Sequence, residues 1–148
     1  VIGPSVEQWW YRSARLWRGG HEWTARAWKG ATFLVFHAVL PYEAKVGRGV
    51  RLYHRGLGVV VHPSTAIGDR VTLAHGVTVG VAGDGTGSVW IGDDVHVGAG
   101  AVLLSRGDGR VLRIGAGASI GAAVLVLDDV PPGARVVAPA PHVVEVEQ

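Results

Sequence analysis

The sequence predicts a solenoid entered through a helical hairpin, and three observations carry that expectation. An aliphatic residue recurs every six positions at Val61, Ile67, Leu73 and Val79. Glycine supplies 23 of the 148 residues and falls in step with this repeat, usually directly after the aliphatic residue. Ahead of the repeat, apolar residues recur instead at three and four positions. Six matches neither the period of a helix nor that of a strand. A unit so short cannot bury its own apolar face and is stable only when stacked on its neighbours.

Residues 1–39 form the expected helical segment. Val6, Trp9, Trp10, Leu16 and Trp17 recur at helical spacing, Ser5 is placed to cap, and Gly19-Gly20 stops the run. A second segment, about His21 to Ala38, puts Trp23, Ala27, Trp28, Ala31, Leu34, Val35 and Ala38 on one stripe, and Pro41 ends it. Tryptophans among arginines allow two readings: a hairpin packed on the end of the repeat body or on a partner subunit, and an interfacial membrane helix.

From residue 40 to 138 the six-residue frame holds, with leading residues Leu40, Val46, Leu52, Val61, Ile67, Leu73, Val79, Ile91, Val97, Leu103, Ile114, Ile120 and Val126, and residues 139–148 are left as a tail. Glycine follows most leaders, where a sharp corner is expected to need positive φ. The frame slips between Leu52 and Val61, between Val79 and Ile91 and between Leu103 and Ile114, so loops are expected near Tyr53 to Gly58, Val81 to Trp90 and Arg106 to Leu112.

A hydrophobic fraction of 48% against 18% charged places the chain among compact soluble domains and away from disordered ones. There is no cysteine, the longest apolar run, Ala31 to Leu40, is too short to cross a bilayer, and no signal-peptide pattern is visible; a cytoplasmic setting is the expectation. Methionine is absent, an initiator included, so the native N-terminus is expected to differ from Val1. The formal charge of +2 suits an anionic small molecule. No basic run or stacking motif points to nucleic acid.

The pattern [LIV]-G-x-x-[AV]-x, together with AKVGRGVRLYH, GVVVHPSTAIGDRVTLAHGVTVG, IGDDVHVGAGAVLL and VLDDVPPGARVV in that order, resembles the hexapeptide-repeat acyltransferases and, within them, the serine acetyltransferases, over about residues 42 to 138. The resemblance implies a left-handed parallel β-helix shaped as a three-sided prism, three units to a coil, assembled as a homotrimer. It implies acetyl-CoA lying along the seam between two prisms and transfer to a hydroxyl of a small, polar, amino-acid-like acceptor. The alternatives are an acyltransferase for a non-serine acceptor and a noncatalytic scaffold whose tryptophan-rich helices recruit a partner.

If three units make a coil, the residues two places after Leu52, Leu73, Val97 and Ile120 stack in one exterior column: His54, His75, Ala99 and Ala122. His54 matches the family's catalytic histidine, a general base for the acceptor hydroxyl; an unperturbed imidazole titrates near pH 6.5. His75 stands where relatives often carry glutamine. It is expected to keep the first imidazole neutral, to hydrogen-bond substrate, or to be a plain surface residue.

Ala99 and Ala122 match positions lining the family's acyl-CoA groove. Gly80 and Val81, with Arg113 and Arg135 for the CoA phosphate, complete the candidate cofactor set, because Pro141 replaces the family's C-terminal arginine. Val39 replaces the family's orienting aspartate, Ser88 a second active-site histidine, and Tyr53 the aspartate before the catalytic histidine. Tyr53, Glu43, Asp84 and Ser88 are therefore the candidate acceptor contacts, the last two on a flexible flap. No metal is expected. The carbonic-anhydrase type of zinc site on such a prism needs a close histidine pair that the spacing of His54, His62, His75 and His96 does not supply.

Overall fold

The computed structural model describes residues 4–140. Two helices, α1 (Val6–Arg18) and α2 (Glu22–Phe36), precede thirteen short strands: β1 (Lys45–Val46), β2 (Arg51–Leu52), β3 (Val60–Val61), β4 (Thr65–Ile67), β5 (Thr72–Leu73), β6 (Thr78–Val81), β7 (Gly87–Ile91), β8 (His96–Val97), β9 (Val102–Ser105), β10 (Arg110–Ile114), β11 (Ser119–Ile120), β12 (Leu125–Val126) and β13 (Arg135–Val136).

Successive strands turn onto successive walls. The first wall stacks β1, β4, β7 and β10, the second β2, β5, β8, β11 and β13, and the third β3, β6, β9 and β12, every pairing parallel. Val39 adds a bridge to Val60 at the head of the third wall. This is the three-sided parallel β-helix that the family resemblance implies.

The leading residues fill the interior. Leu73, Val79, Ile91, Val97, Leu103 and Ile114 have no exposed surface, and only Val46, on the first coil, is merely half-buried. Each aliphatic side chain so placed contributes about 1.5–3 kcal/mol of hydrophobic stabilisation. The register stacks Leu52 on Leu73, Leu73 on Val97 and Val97 on Ile120, so the core is a set of aliphatic columns.

The glycines directly after the leaders do not serve the purpose expected of them. Gly92 and Gly98 have ordinary φ, and their role is proximity: a Cβ on either would lie 2.6 Å from the backbone nitrogen of Ala116 or Ala122 in the next coil. Positive φ falls instead on the third residue after the leader. Gly49, Arg70, Asp94 and Gly117 turn the corner between the first and second walls, and Arg55, Gly76, Gly100 and Ala123 that between the second and third.

α1 starts with a capping box, Ser5 and Gln8 each accepting from the other's backbone N–H, and lies across the open end of the prism. Its side chains satisfy edge groups of the first coil that have no strand above them. The Trp10 indole donates to the Pro41 carbonyl (2.8 Å), the Tyr11 hydroxyl donates to the Gly47 carbonyl (2.7 Å) and accepts from the Val50 N–H (3.2 Å), and the Glu7 carboxylate accepts from the Leu52 N–H (2.7 Å). Burial raises the Tyr11 pKa, which keeps the hydroxyl in the form that can do both.

α2 departs from the sequence reading in two ways. Its buried face is Ala25, Thr32 and Phe36, not the stripe through Trp23, Ala27, Leu34 and Val35, which lies outward with Trp23 82% and Leu34 74% exposed. The helix is apolar on both sides, and the small Ala25 and Thr32 allow the closer approach. Trp9 of α1 then packs against Trp28 and Phe36, ring centres 5.1 and 5.2 Å apart. The helix also stops before Pro41: His37 takes left-handed backbone (φ 53°) so that Val39 can enter the third wall.

The second and third loops are shorter than expected, because β7 and β10 begin at Gly87 and Arg110. The Asp84 carboxylate accepts from the Thr86 N–H (2.9 Å) and, from the loop one coil on, the Asp108 N–H (3.2 Å). The expected flap is thus fastened to its neighbour.

Candidate active site

The corner between the second and third walls carries the imidazole pair. Leu52, Leu73, Val97 and Ile120 are in register on the second wall, so the residues two places on emerge above one another. His54 and His75 are both exposed, their ring centres 4.8 Å apart and their planes near perpendicular. Below them come Ala99, half-buried, and Ala122, exposed, with the Gly100 N–H donating to the His75 carbonyl (3.0 Å) and the Ala123 N–H to the Ala99 carbonyl (2.8 Å). Past the imidazoles the track carries nothing larger than a methyl group.

His54 sits in a turn, Tyr53–Gly56, created by the extra residues between Leu52 and Val61. His54 and Arg55 are both in left-handed backbone, at φ 52° and 60°. Such a conformation costs an ordinary residue about 1–2 kcal/mol, and here two in succession sustain the exposed imidazole.

The other expected residues do not gather at this corner. Tyr53 lies down the second wall, edge-on to His96 with ring centres 6.1 Å apart. His96 therefore faces outward on the same wall that ends in the imidazole corner, although it stays out of the column. Gly80 and Val81 close β6 at the opposite edge of the third wall from His75.

Glu43 also lies at that opposite corner, in a groove of about 520 Å³ that it shares with Arg26, Lys29, Val39 and Tyr42. Asp84 is in the adjoining loop. Its carboxyl is held below the usual range by hydrogen bonds from Thr86. Ser88 and Arg113 line a groove of about 400 Å³ on the first wall beside the half-exposed Trp90. Arg135 is exposed at the far end of the second wall, and Pro141 lies outside the described residues.

Within one chain, then, the expected site divides into two halves. The imidazoles and the alanine track stand at one edge of the third wall, and Gly80, Val81, Glu43 and Asp84 at the other. Between them the outer surface of that wall is Val60, Thr78, Val102 and Leu125, with Val60 39% and Leu125 58% exposed. The second wall shows Arg51, Thr72, His96, Ser119 and Arg135 at the equivalent positions.

Among the described residues no carboxylate hydrogen-bonds or ion-pairs with either imidazole, and no group of three metal-ligating side chains converges. His62 pairs its Nδ1 with the Ser64 hydroxyl (2.8 Å) at the opposite corner. The residue that sequence reasoning missed is Arg55. Its signal was the frame itself, which aligns it with Gly76 and Gly100.

No family model matches the chain. It is 40% identical over 124 residues to serine acetyltransferase 4 of Arabidopsis thaliana, an alignment covering 82% of this chain and 33% of that protein. The crystal structure of Neisseria gonorrhoeae serine acetyltransferase in complex with serine superposes with a TM-score of 0.80 at 32% identity, over 90% of this chain and 53% of the other. Soybean serine acetyltransferase gives 0.81 at 34% identity, over 90% and 54%. The chain thus spans a third to about half the length of these relatives. Over most of its length, then, the chain is similar in sequence and in fold to serine acetyltransferases, as a hexapeptide-repeat, left-handed β-helix protein of serine acetyltransferase-like type.

Proposed function

We propose that the chain is an acetyl-CoA-dependent O-acetyltransferase acting on the hydroxyl of a small, polar, amino-acid-like acceptor, serine being the reference compound. The observation that carries this reading is the imidazole pair, 4.8 Å apart, at the head of a track bare of side chains. An extended pantetheine arm fits such a track, its amides facing backbone, with Ala99 and Ala122 beneath it and Arg135 toward its phosphate end.

The thioester carbonyl then stands beside His54. The acceptor oxygen attacks that carbon while its proton passes to the imidazole of His54; the carbon–sulfur bond breaks, and the CoA thiolate takes the proton from the imidazolium as it leaves. His75 is placed to hydrogen-bond the reacting groups. No acyl-enzyme is formed.

The division of the site supports a homotrimer. An apolar wall flanked by the two halves suits packing against a second prism, which would bring Asp84, Ser88 and Glu43 of one chain toward His54 of another. The two relatives of solved structure cited above are named serine acetyltransferases, and structures of both in complex with serine exist, which supports an acceptor of that kind. Thiol release from acetyl-CoA with serine and homoserine tests the reading: release that disappears in His54→Ala is the expected result, and release untouched by that change overturns the assignment of the base.

A further inference from the structure

In successive coils, the corner position that holds Arg55 is filled by Gly76, Gly100 and Ala123, all with positive φ. Small residues are the expected occupants of left-handed backbone. At the corner between the first and second walls, Arg70 and Asp94 also carry large side chains on such backbone, and the reason is visible: the Arg70 Nε and Nη2 donate to the two Asp94 carboxylate oxygens at 2.7 and 2.8 Å. Arg55 has no equivalent. Among the described residues no carboxylate hydrogen-bonds or ion-pairs with it, and its guanidinium lies over the Phe36 ring, 5.0 Å from the centre.

Phe36 closes α2 and is buried, so it is a fixed platform. A guanidinium laid on an aromatic face keeps its edge donors free for a planar anion. Along the corner His54, His75, Ala99 and Ala122 succeed one another toward the later coils, and Arg55 follows His54 in the same coil, its guanidinium on Phe36 at the end of α2. An acyl donor lying on the alanines leaves the acceptor at the first coil, beside His54, where Arg55 supplies the charge. A carboxylate there meets an uncompensated guanidinium.

We infer that Arg55 clamps the acceptor's carboxylate, so that the acceptors taken are small hydroxy acids recognised through that carboxylate. The strained backbone at His54 and Arg55 is then the device that presents base and clamp together. This rests on the acyl-transfer reading above, and the experiment separates the two.

Thiol release from acetyl-CoA is measured with glycerate, serine, serinamide and glycerol, for the wild-type chain, Arg55→Gln and Arg55→Lys. Expected are kcat/KM values for serinamide and glycerol about 10- to 100-fold below those for serine and glycerate. Arg55→Gln raises KM for the two carboxylates by that factor, leaves kcat and the two acceptors without a carboxylate unchanged, and Arg55→Lys restores part of the loss. Equal loss for all four acceptors, or serinamide matching serine, overturns the clamp. If no acceptor releases thiol from the wild-type chain, the acyl-transfer reading has failed, and calorimetric titration of glycerate still decides the clamp: unchanged affinity in Arg55→Gln refutes it.

Discussion

At the scale of single residues, the chain separates side chains that hold the prism from side chains that stand on it. Tyr11 is of the first kind. Tyr11→Phe removes the partner of the Gly47 carbonyl and of the Val50 N–H together, and is expected to lower the free energy of unfolding in urea by about 1–3 kcal/mol with no effect on turnover. His54 is of the second kind, exposed and outside the core. His54→Ala should reduce kcat by about 100-fold or more while the midpoint of thermal unfolding stays nearly level, because the side chain is exposed and outside the core. Counting in sixes was enough to find His54 and His75, since a coil of three units fixes which residues emerge together. The same count aligns Arg55 with Gly76, Gly100 and Ala123, but it says nothing of backbone handedness, which is what makes a large side chain there informative.

At the scale of elements, the inward residues of the walls were legible because the chain has one way to fill a triangular interior, and aliphatic side chains mark it. α2 was not, because an element apolar on two sides offers two faces to choose between and the choice belongs to the partner it packs on. The outcome is measurable: Trp10→Ala in α1 should cost about 3–5 kcal/mol, whereas Trp23→Ser in α2 should stay within about 0.5 kcal/mol, both by chemical unfolding. The corner between the first and second walls makes a different prediction. Asp69 is held below the usual carboxylate range by the Arg48 N–H and guanidinium, and Asp94 by Arg70. The unfolded chain therefore takes up protons first as pH falls, so the stabilisation is fully present above about pH 5 and is lost on acidification below the ordinary carboxylate range. Thermal unfolding between pH 6 and 3 should show a steeper decline for the wild-type chain than for Asp69→Asn or Asp94→Asn, with added salt narrowing the difference.

At the scale of the whole molecule, a site whose two halves sit at opposite edges of one wall ties chemistry to assembly. Leu125→Asp, on the exposed outer face of the last strand of that wall, tests the proposed trimer: monomers by sedimentation velocity, a retained circular dichroism of the prism and a loss of thiol release are the expected results. The resemblance implied a seam between prisms, but which wall would form it was not legible in the repeat, because the leading residues mark only what faces inward. The side chains of Glu7, Trp10 and Tyr11 have a further consequence. A column of parallel rungs exposes, at each end, a row of amides and carbonyls ready to accept another rung. Covering that row at the head of the column means that stray head-first addition of one molecule to the next has no template, so removing the first helix should turn a discrete particle into one that elongates into fibres.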